Sequence, residues 1–412
     1  MTEARAVEPG QESVSSAPVP TPLPQRLPAL TSLRFFAALW VVLYHYDKDL
    51  LPAFPWARSF IHAGSTGVSL FYVLSGFILA HTYWDRDVRS TKGRRDFFVH
   101  RLARIYPMYL ASLAVMLPRL IIERNEPIVR YAYDHPWLVT LSHLTLTTPW
   151  FFYPVPVLNA PTWSVGCEAG FYLLFPSLIP LIRRTGARSA LIAMGLIFAL
   201  SVVLPWMYAQ GLFFDGPRIW GWADPAECDA RANQAIRMWP IFRLGEFAIG
   251  MLVAAYLRHR PAWGSRARTV LLGSVLLFAL AFVGAQIQSA GSSQTVLLVQ
   301  QVYPVPFFAA LIAALALYGG TRPRWLSAPF LLLLGEASYS LYLIHIPVKH
   351  ALRLVGDRVG VPLETPLGVA ATILLTIPAS ILAFRLVESP ARRWIAARYA
   401  PRVTMPPATT SA

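Results

Sequence analysis

The chain has 412 residues, 55% of them hydrophobic and only 14% charged, where a soluble domain carries roughly 25% charged residues, so lipid solvates most of it and a soluble enzyme is excluded. The formal net charge of +15 comes from 36 Lys and Arg scattered among apolar, aromatic-rich runs, which reads as a membrane topology signal and not as a nucleic-acid surface. Two cysteines, Cys167 and Cys228, are too few for a disulfide framework or a cysteine-built zinc site.

Residues 1–28 are rich in Pro, Ser, Thr, Gln and Glu and hold no apolar core of signal-peptide length, so a disordered tail is expected there. Apolar stretches of spanning length then recur at 30–46, 66–84, 102–120, 161–182, 189–209, 238–257, 269–288, 296–318, 329–350 and 366–386. The segment 138–152 is short, carries Ser, His and Thr, and is closed by Pro149, Pro154 and Pro156; it is expected to enter the membrane region without crossing. With both termini cytoplasmic, that arrangement puts 23 of the 36 basic residues on the inner side and 11 on the outer, with Arg34 and Arg243 inside spans. A crossing at 138–152 would invert every later arginine cluster, against the usual bias.

The expected fold is therefore an all-α integral membrane protein with about ten transmembrane helices and one short re-entrant or interfacial segment, in the inner (cytoplasmic) membrane. A disordered cytoplasmic tail (1–28) precedes one membrane domain (29–395), and a second disordered cytoplasmic tail (396–412) follows it. No internal repeat, glycine-rich phosphate loop or GxSxG elbow is visible, so any chemistry takes place in or at the bilayer.

Ionisable residues inside spans point to function, because each costs about 2.5 to 3.5 kcal/mol on insertion scales unless it faces a cavity or a partner. The first span is the richest in them. Arg34 and His45 are eleven positions apart, which at 100° per residue is within roughly 20° of three turns, with a rise of about 16 Å. They share one face at two depths. Either they line one polar channel from the inner surface to mid-membrane or beyond, or Arg34 snorkels to inner headgroups while His45 caps the outer end beside Asp47 and Asp49.

The run RFFAALWVVLYH (34–45) resembles the signature of the membrane acyltransferase-3 family. Further segments resemble that family in the same order: GVSLFYVLSGF (67–77), RLARIYP (101–107), WSVGCE (163–168), FRLGEFAIG (242–250), SYSLYLIH (338–345) and VESP (387–390). The resemblance implies transfer of an acyl group, often acetyl, from cytoplasmic acyl-CoA to a hydroxyl of a carbohydrate, glycolipid or glycosylated small molecule. Acyl-CoA would be a substrate and no cofactor would be held permanently. Many members carry a further extracytoplasmic hydrolase-like domain at the C-terminus. After the last span of this chain no such domain is expected, which leaves open a separate extracytoplasmic partner.

Acyl transfer to an alcohol needs a base, and imidazole serves at neutral pH; His45 is the candidate, as general base or as a transient acyl-histidine. An orienting acid is available in Asp49, at i+4, or in Glu168, which the resemblance favours. The phosphates of CoA call for guanidinium groups. Arg101 and Arg104, one turn apart where the third span opens, are the candidate contacts, whereas Arg94 and Arg95 read as ordinary inner-loop charge. Arg34 would polarise the thioester carbonyl or hold the donor's far end.

Ser338, Tyr342 and His345 fall at i, i+4 and i+7 on an apolar helix, a polar stripe that either lines the acceptor side of the site, with Trp163 from the family motif, or bonds neighbouring helices. Arg243 and Glu246 read as a buried structural pair, and Cys167 as a small core residue. No His or Cys stands at metal-ligand spacing, so no metal is expected. A polytopic transporter or flippase would also need intramembrane Arg, His and Glu; it would show symmetry between halves, and none is visible.

Overall fold

The computed structural model describes residues 23–24, 26–50, 54–150, 158–209, 234–259, 303–318 and 324–400, with a few isolated positions at 212 and between 269 and 276. All regular structure among them is helical. The principal helices are α1 (Pro28–His45), α2 (Gly67–Tyr83), α3 (Thr91–Met116), α4 (Pro136–Leu144), α5 (Thr162–Arg183), α6 (Ala187–Ala209), α7 (Pro240–His259), α8 (Val305–Leu317), α9 (Pro329–Glu336), α10 (Ser338–Val359), α11 (Pro366–Ala383) and α12 (Ser389–Tyr399).

Local chemistry sets several starts. Proline opens α1, α4, α9 and α11, where its missing N–H costs nothing. Ser90 caps α3 by accepting from the Gly93 N–H at 3.1 Å, and Thr365 caps α11 through the Gly368 N–H at 3.2 Å.

Among the described residues, seven helical stretches are long and apolar enough to cross a bilayer, and the bent pair α9 and α10 makes eight. This is an all-α membrane protein. The expected span 329–350 is that bent pair, turning by 63° at Ala337. The expected span 296–318 contains α8, whose 13 residues are shorter than a usual crossing, and 269–288 lies mostly outside the described residues. The segment 138–152 begins within α4, whose nine residues, about 14 Å long, are too short to cross; a single 3-10 turn (Thr148–Trp150) follows, and 151–152 lie outside the described residues.

The tail boundaries move. His81 on α2 donates from Nε2 to the Pro24 carbonyl at 3.1 Å and Leu27 is buried, so the last residues before α1 are docked on the bundle rather than free. At the other end α12 continues to Tyr399, past the expected limit at 395, with Pro390 in its first turn, where the ring costs nothing, and Ala400 as its C-cap. The remaining parts of both expected tails, 1–22 and 401–412, lie outside the described residues.

The core is built around α2 and α7. Phe97 stacks on Phe175 at 5.0 Å and Phe171 on Phe247 at 5.2 Å, all four fully buried. Helices α2 and α7 touch backbone to backbone: a Cβ on Gly76 would strike the carbonyl of Phe247, and one on Gly250 the carbonyl of Val73. Small residues permit this approach in a membrane bundle, where no hydrophobic drive holds helices together. Between α11 and α12, residues 384–388 form one π-helical turn in which Glu388 is buried. Helix α1 packs on α2, α9 and α10, and α3 packs on α5, α10 and α12, which brings the first, second, third and fifth helices and α10 around one polar centre.

Candidate active site

A cavity of about 100 Å³ lies at that centre. Its wall takes Arg34 from α1, Phe71 and Ser75 from α2, Arg101 and Arg104 from α3, Glu168 and Tyr172 from α5, and Tyr339 and Tyr342 from α10. Four of these, Arg34, Arg101, Arg104 and Glu168, were singled out in the sequence for the reaction or the donor, and Tyr342 for the acceptor. Glu168 accepts two hydrogen bonds on the same carboxylate oxygen, a short one from the Tyr172 hydroxyl and one from Ser75 at 2.9 Å.

The three guanidiniums differ. Arg104 is ion-paired with Glu388, whose other oxygen accepts from Ser340 at 2.7 Å, and its cationic carbon lies 5.6 Å from the centre of the Tyr339 ring. Arg101 lies against the rings of Tyr83 and Tyr172 at 5.7 and 5.9 Å, and its buried Nε has no partner. Arg34 makes no hydrogen bond or ion pair with any described residue. Three cations against two carboxylates leave the centre positive, and the unengaged groups are Arg34 and Arg101. Such a cavity draws an anionic or strongly dipolar ligand.

His45 is elsewhere. It lines a second cavity, of about 440 Å³, with Tyr44, Tyr46, Asp49, Lys349, Arg353, Glu364 and Thr372. Its Nδ1 is 2.9 Å from the Val41 carbonyl and 3.2 Å from Nε2 of His345. Lys349 donates to the His45 carbonyl at 3.1 Å and to Asp49 at 2.6 Å, and Arg353 pairs with Glu364 at 2.7 Å. This corrects the expectation of one shared channel. Arg34 and His45 do lie along one helix, but they line two cavities with no residue in common: Tyr342, a wall of the first with its ring 6.0 Å from that of Phe71, lies 6.1 Å from His345, whose ring is 4.9 Å from that of His45. Helical phase fixes a direction, not what a neighbouring helix inserts there.

The expected orienting acid is corrected too. Glu168 and His45 line different cavities, and Asp49 is committed to Lys349, so the side chain beside the His45 ring is His345. Ser338 lines neither of the two cavities: it is fully buried at the 63° bend and donates to the Gly335 carbonyl at 2.8 Å. Trp163 packs on the core and lines neither cavity, while its neighbour Ser164 lies 2.7 Å from the Tyr342 hydroxyl. Arg243 and Glu246 form a buried pair at 3.2 Å, and the Cys167 thiol donates to the Met238 carbonyl. Cys228 lies outside the described residues.

Residues the sequence reading passed over are Ser75, Tyr172 and Tyr339 in the first cavity, Glu388 and Ser340 behind it, and Lys349 in the second. Glu388 stood within VESP and Ser340 and Tyr339 within SYSLYLIH, so the motifs carried the signal without the roles.

The profile of the acyltransferase domain matches residues 27–385, which takes in every helix that lines the two cavities. The chain belongs to the acyltransferase-3 family. This acyltransferase is 29% identical over 407 residues to the acyltransferase MdmB of Streptomyces mycarofaciens, covering 94% of this chain and 97% of that protein. It is 25% identical to the O-acetyltransferase OatA of Staphylococcus aureus over 90% of its own length and 58% of OatA, and 25% identical to nodulation protein 10 of Rhizobium leguminosarum bv. viciae over 88% of its own length and 92% of that protein. No solved structure matches it. Membership of the family favours the enzyme over a transporter.

Proposed function

We propose that this membrane acyltransferase moves an acyl group, acetyl being the smallest that fits, from acyl-CoA to a hydroxyl of a carbohydrate, glycolipid or glycosylated small molecule. The observation that carries the proposal is the division of polar groups between two cavities that meet at Tyr342 and His345. The smaller one holds the partnerless cation Arg34 beside Arg101, suited to the polar chain behind the thioester. At about 100 Å³ it admits the thioester end of that chain and not the nucleotide. The larger cavity holds the base His45 among two acid–base pairs, Asp49 with Lys349 and Arg353 with Glu364, together with Tyr44 and Thr372. A lining of balanced charge and many hydrogen-bonding groups suits a neutral polyhydroxylated acceptor.

In this reading the acceptor hydroxyl gives its proton to Nε2 of His45 as its oxygen attacks the thioester carbonyl. The C–O bond forms, the C–S bond breaks, and the proton held on His45 passes to the departing thiolate, which leaves as CoA; Arg34, about three helical turns away in the other cavity, holds the donor's polar chain and not the reacting carbonyl. Donor entry from the cytoplasm, cytoplasmic termini and residence in the inner membrane belong to the same proposal, supported by the bias of 23 basic residues against 11. MdmB and OatA carry acyl-transfer names, and OatA is an O-acetyltransferase, which supports oxygen as the acceptor atom.

The test uses full-length protein in nanodiscs with radiolabelled acetyl-CoA and octyl β-glucoside as hydroxyl probe. Label moves to the glucoside with the native protein and not with a well-folded His45→Ala variant. Transfer at the native rate by that variant removes His45 from the mechanism.

A further inference from the structure

The contact between His45 and His345 assigns protons by elimination. Nδ1 of His345 lies 2.7 Å from the Tyr342 carbonyl, and a carbonyl only accepts, so that nitrogen carries a hydrogen. The ring is fully buried and the nearest ring to it is another imidazole, so it is the neutral form and its Nε2 bears a lone pair. That lone pair and the Val41 carbonyl are both aimed at Nδ1 of His45, at 3.2 and 2.9 Å. Two acceptors facing one nitrogen require an N–H there. His45 is thereby held with its hydrogen on Nδ1 and its basic lone pair on Nε2.

We infer that His345 is the positioning residue of the transfer reaction: it fixes the tautomer and orientation of His45 and accepts from the imidazolium that forms when His45 removes the acceptor's proton. In a hydrolytic triad a carboxylate fills this place. Here the acids near the ring are already engaged, Asp49 with Lys349 and Glu364 with Arg353, and Lys349 presents a cation on the same side. A second imidazole supplies the acceptor without placing a buried anion beside those pairs. No bond to carbon is made by His345; the single event is movement of one proton from the hydroxyl to Nε2 of His45, with the Nδ1–H drawn toward His345.

This inference rests on the proposed role of His45, and its test separates the two. The first arm needs no turnover: full-length protein labelled with 15N-histidine in nanodiscs, read at pH 8, with His45→Gln and His345→Gln used to assign signals. Both rings should show a protonated Nδ1 and a bare Nε2. Protonation of either ring on Nε2 overturns the inference. The second arm follows acetyl-CoA and octyl β-glucoside. The amide oxygen of His345→Gln can accept where the imidazole did, whereas His345→Phe cannot. The expected result is a kcat within about tenfold of native for the first variant and at least about a hundredfold lower for the second, within the usual range of a base's contribution. The KM for acetyl-CoA should stay within about twofold in both. Equal losses in the two variants, or a loss carried by KM, mark His345 as packing alone. Where the probe pair gives no turnover, the tautomers decide.

Discussion

The unengaged guanidinium of Arg34 is the residue at which stability and activity are opposed. It lines the cavity half-buried at bilayer depth, with no hydrogen-bonding partner among the described residues, an arrangement that leaves its charge to be compensated by a ligand. Arg34→Met should therefore raise the melting temperature by a few degrees while lowering kcat/KM for acetyl-CoA by about a hundredfold or more. A lower melting temperature would show that Arg34 is structural after all. Arg104 should behave in the opposite way. Glu388→Gln leaves its cation uncompensated and should cost about 3 to 5 kcal/mol, measured by denaturation in detergent, whereas the double replacement Arg104→Met with Glu388→Met should recover most of it. A single and a double variant of equal stability would mean that the pair contributes nothing.

Single positions were legible where the chemistry was short-range. Arg101 and Arg104, one turn apart, do reach one cavity, and Arg243 does pair with Glu246. What could not be read were partners far apart in sequence, such as Lys349 with Asp49 or Arg104 with Glu388, because nothing in a single chain states which spans are neighbours. Ser338 failed for a geometric reason. The stripe of Ser338, Tyr342 and His345 assumes one straight helix, but the bend at Ala337 makes Ser338 its first residue, and its hydroxyl turns back to Gly335. Tyr339, 100° further round, takes the cavity wall instead.

At the level of helices, the glycine contact between α2 and α7 makes a sharp prediction. A methyl group on Gly76 would meet the Phe247 carbonyl, and a side chain cannot rotate away from backbone. Gly76→Ala should lower the melting temperature markedly, Gly250→Ala should do the same, and the double variant should lose much less than their sum, since one parting of the helices relieves both. Gly195→Ala on α6, with nothing within 4 Å of the new atom, should leave it unchanged or raise it. Additive losses would show that the two glycines act at separate contacts. Both glycines were visible inside the motifs GVSLFYVLSGF and FRLGEFAIG; that the two motifs face each other was not. Hydropathy found apolar lengths, but of the ten crossings expected, the described residues hold seven or eight, and hydropathy is blind to a turn such as the 63° one that splits a span into α9 and α10.

For the molecule as a whole, the two cavities should be reachable from different faces. A cysteine placed at Ser75 in the smaller cavity and one placed at Thr372 in the larger should each react with a charged, membrane-impermeant thiol reagent from one side of sealed vesicles, and the sides should differ. Labelling of both from one side would unite the cavities and return the site to a single channel. The composition already required a membrane protein, and the sequential motifs required one domain; the partition in its middle is a property of packed rings that no composition encodes.

That partition of Phe71, Tyr342 and His345 has a bioenergetic consequence. If donor and acceptor reach the two cavities from opposite compartments, as the proposed function has it, the site is a weak point in an insulating film. Aromatic rings set edge-on or tilted at that partition, Phe71 against Tyr342 and Tyr342 beside His345, would let such an enzyme hand an acyl carbon across while offering hydrated ions little polar surface to follow.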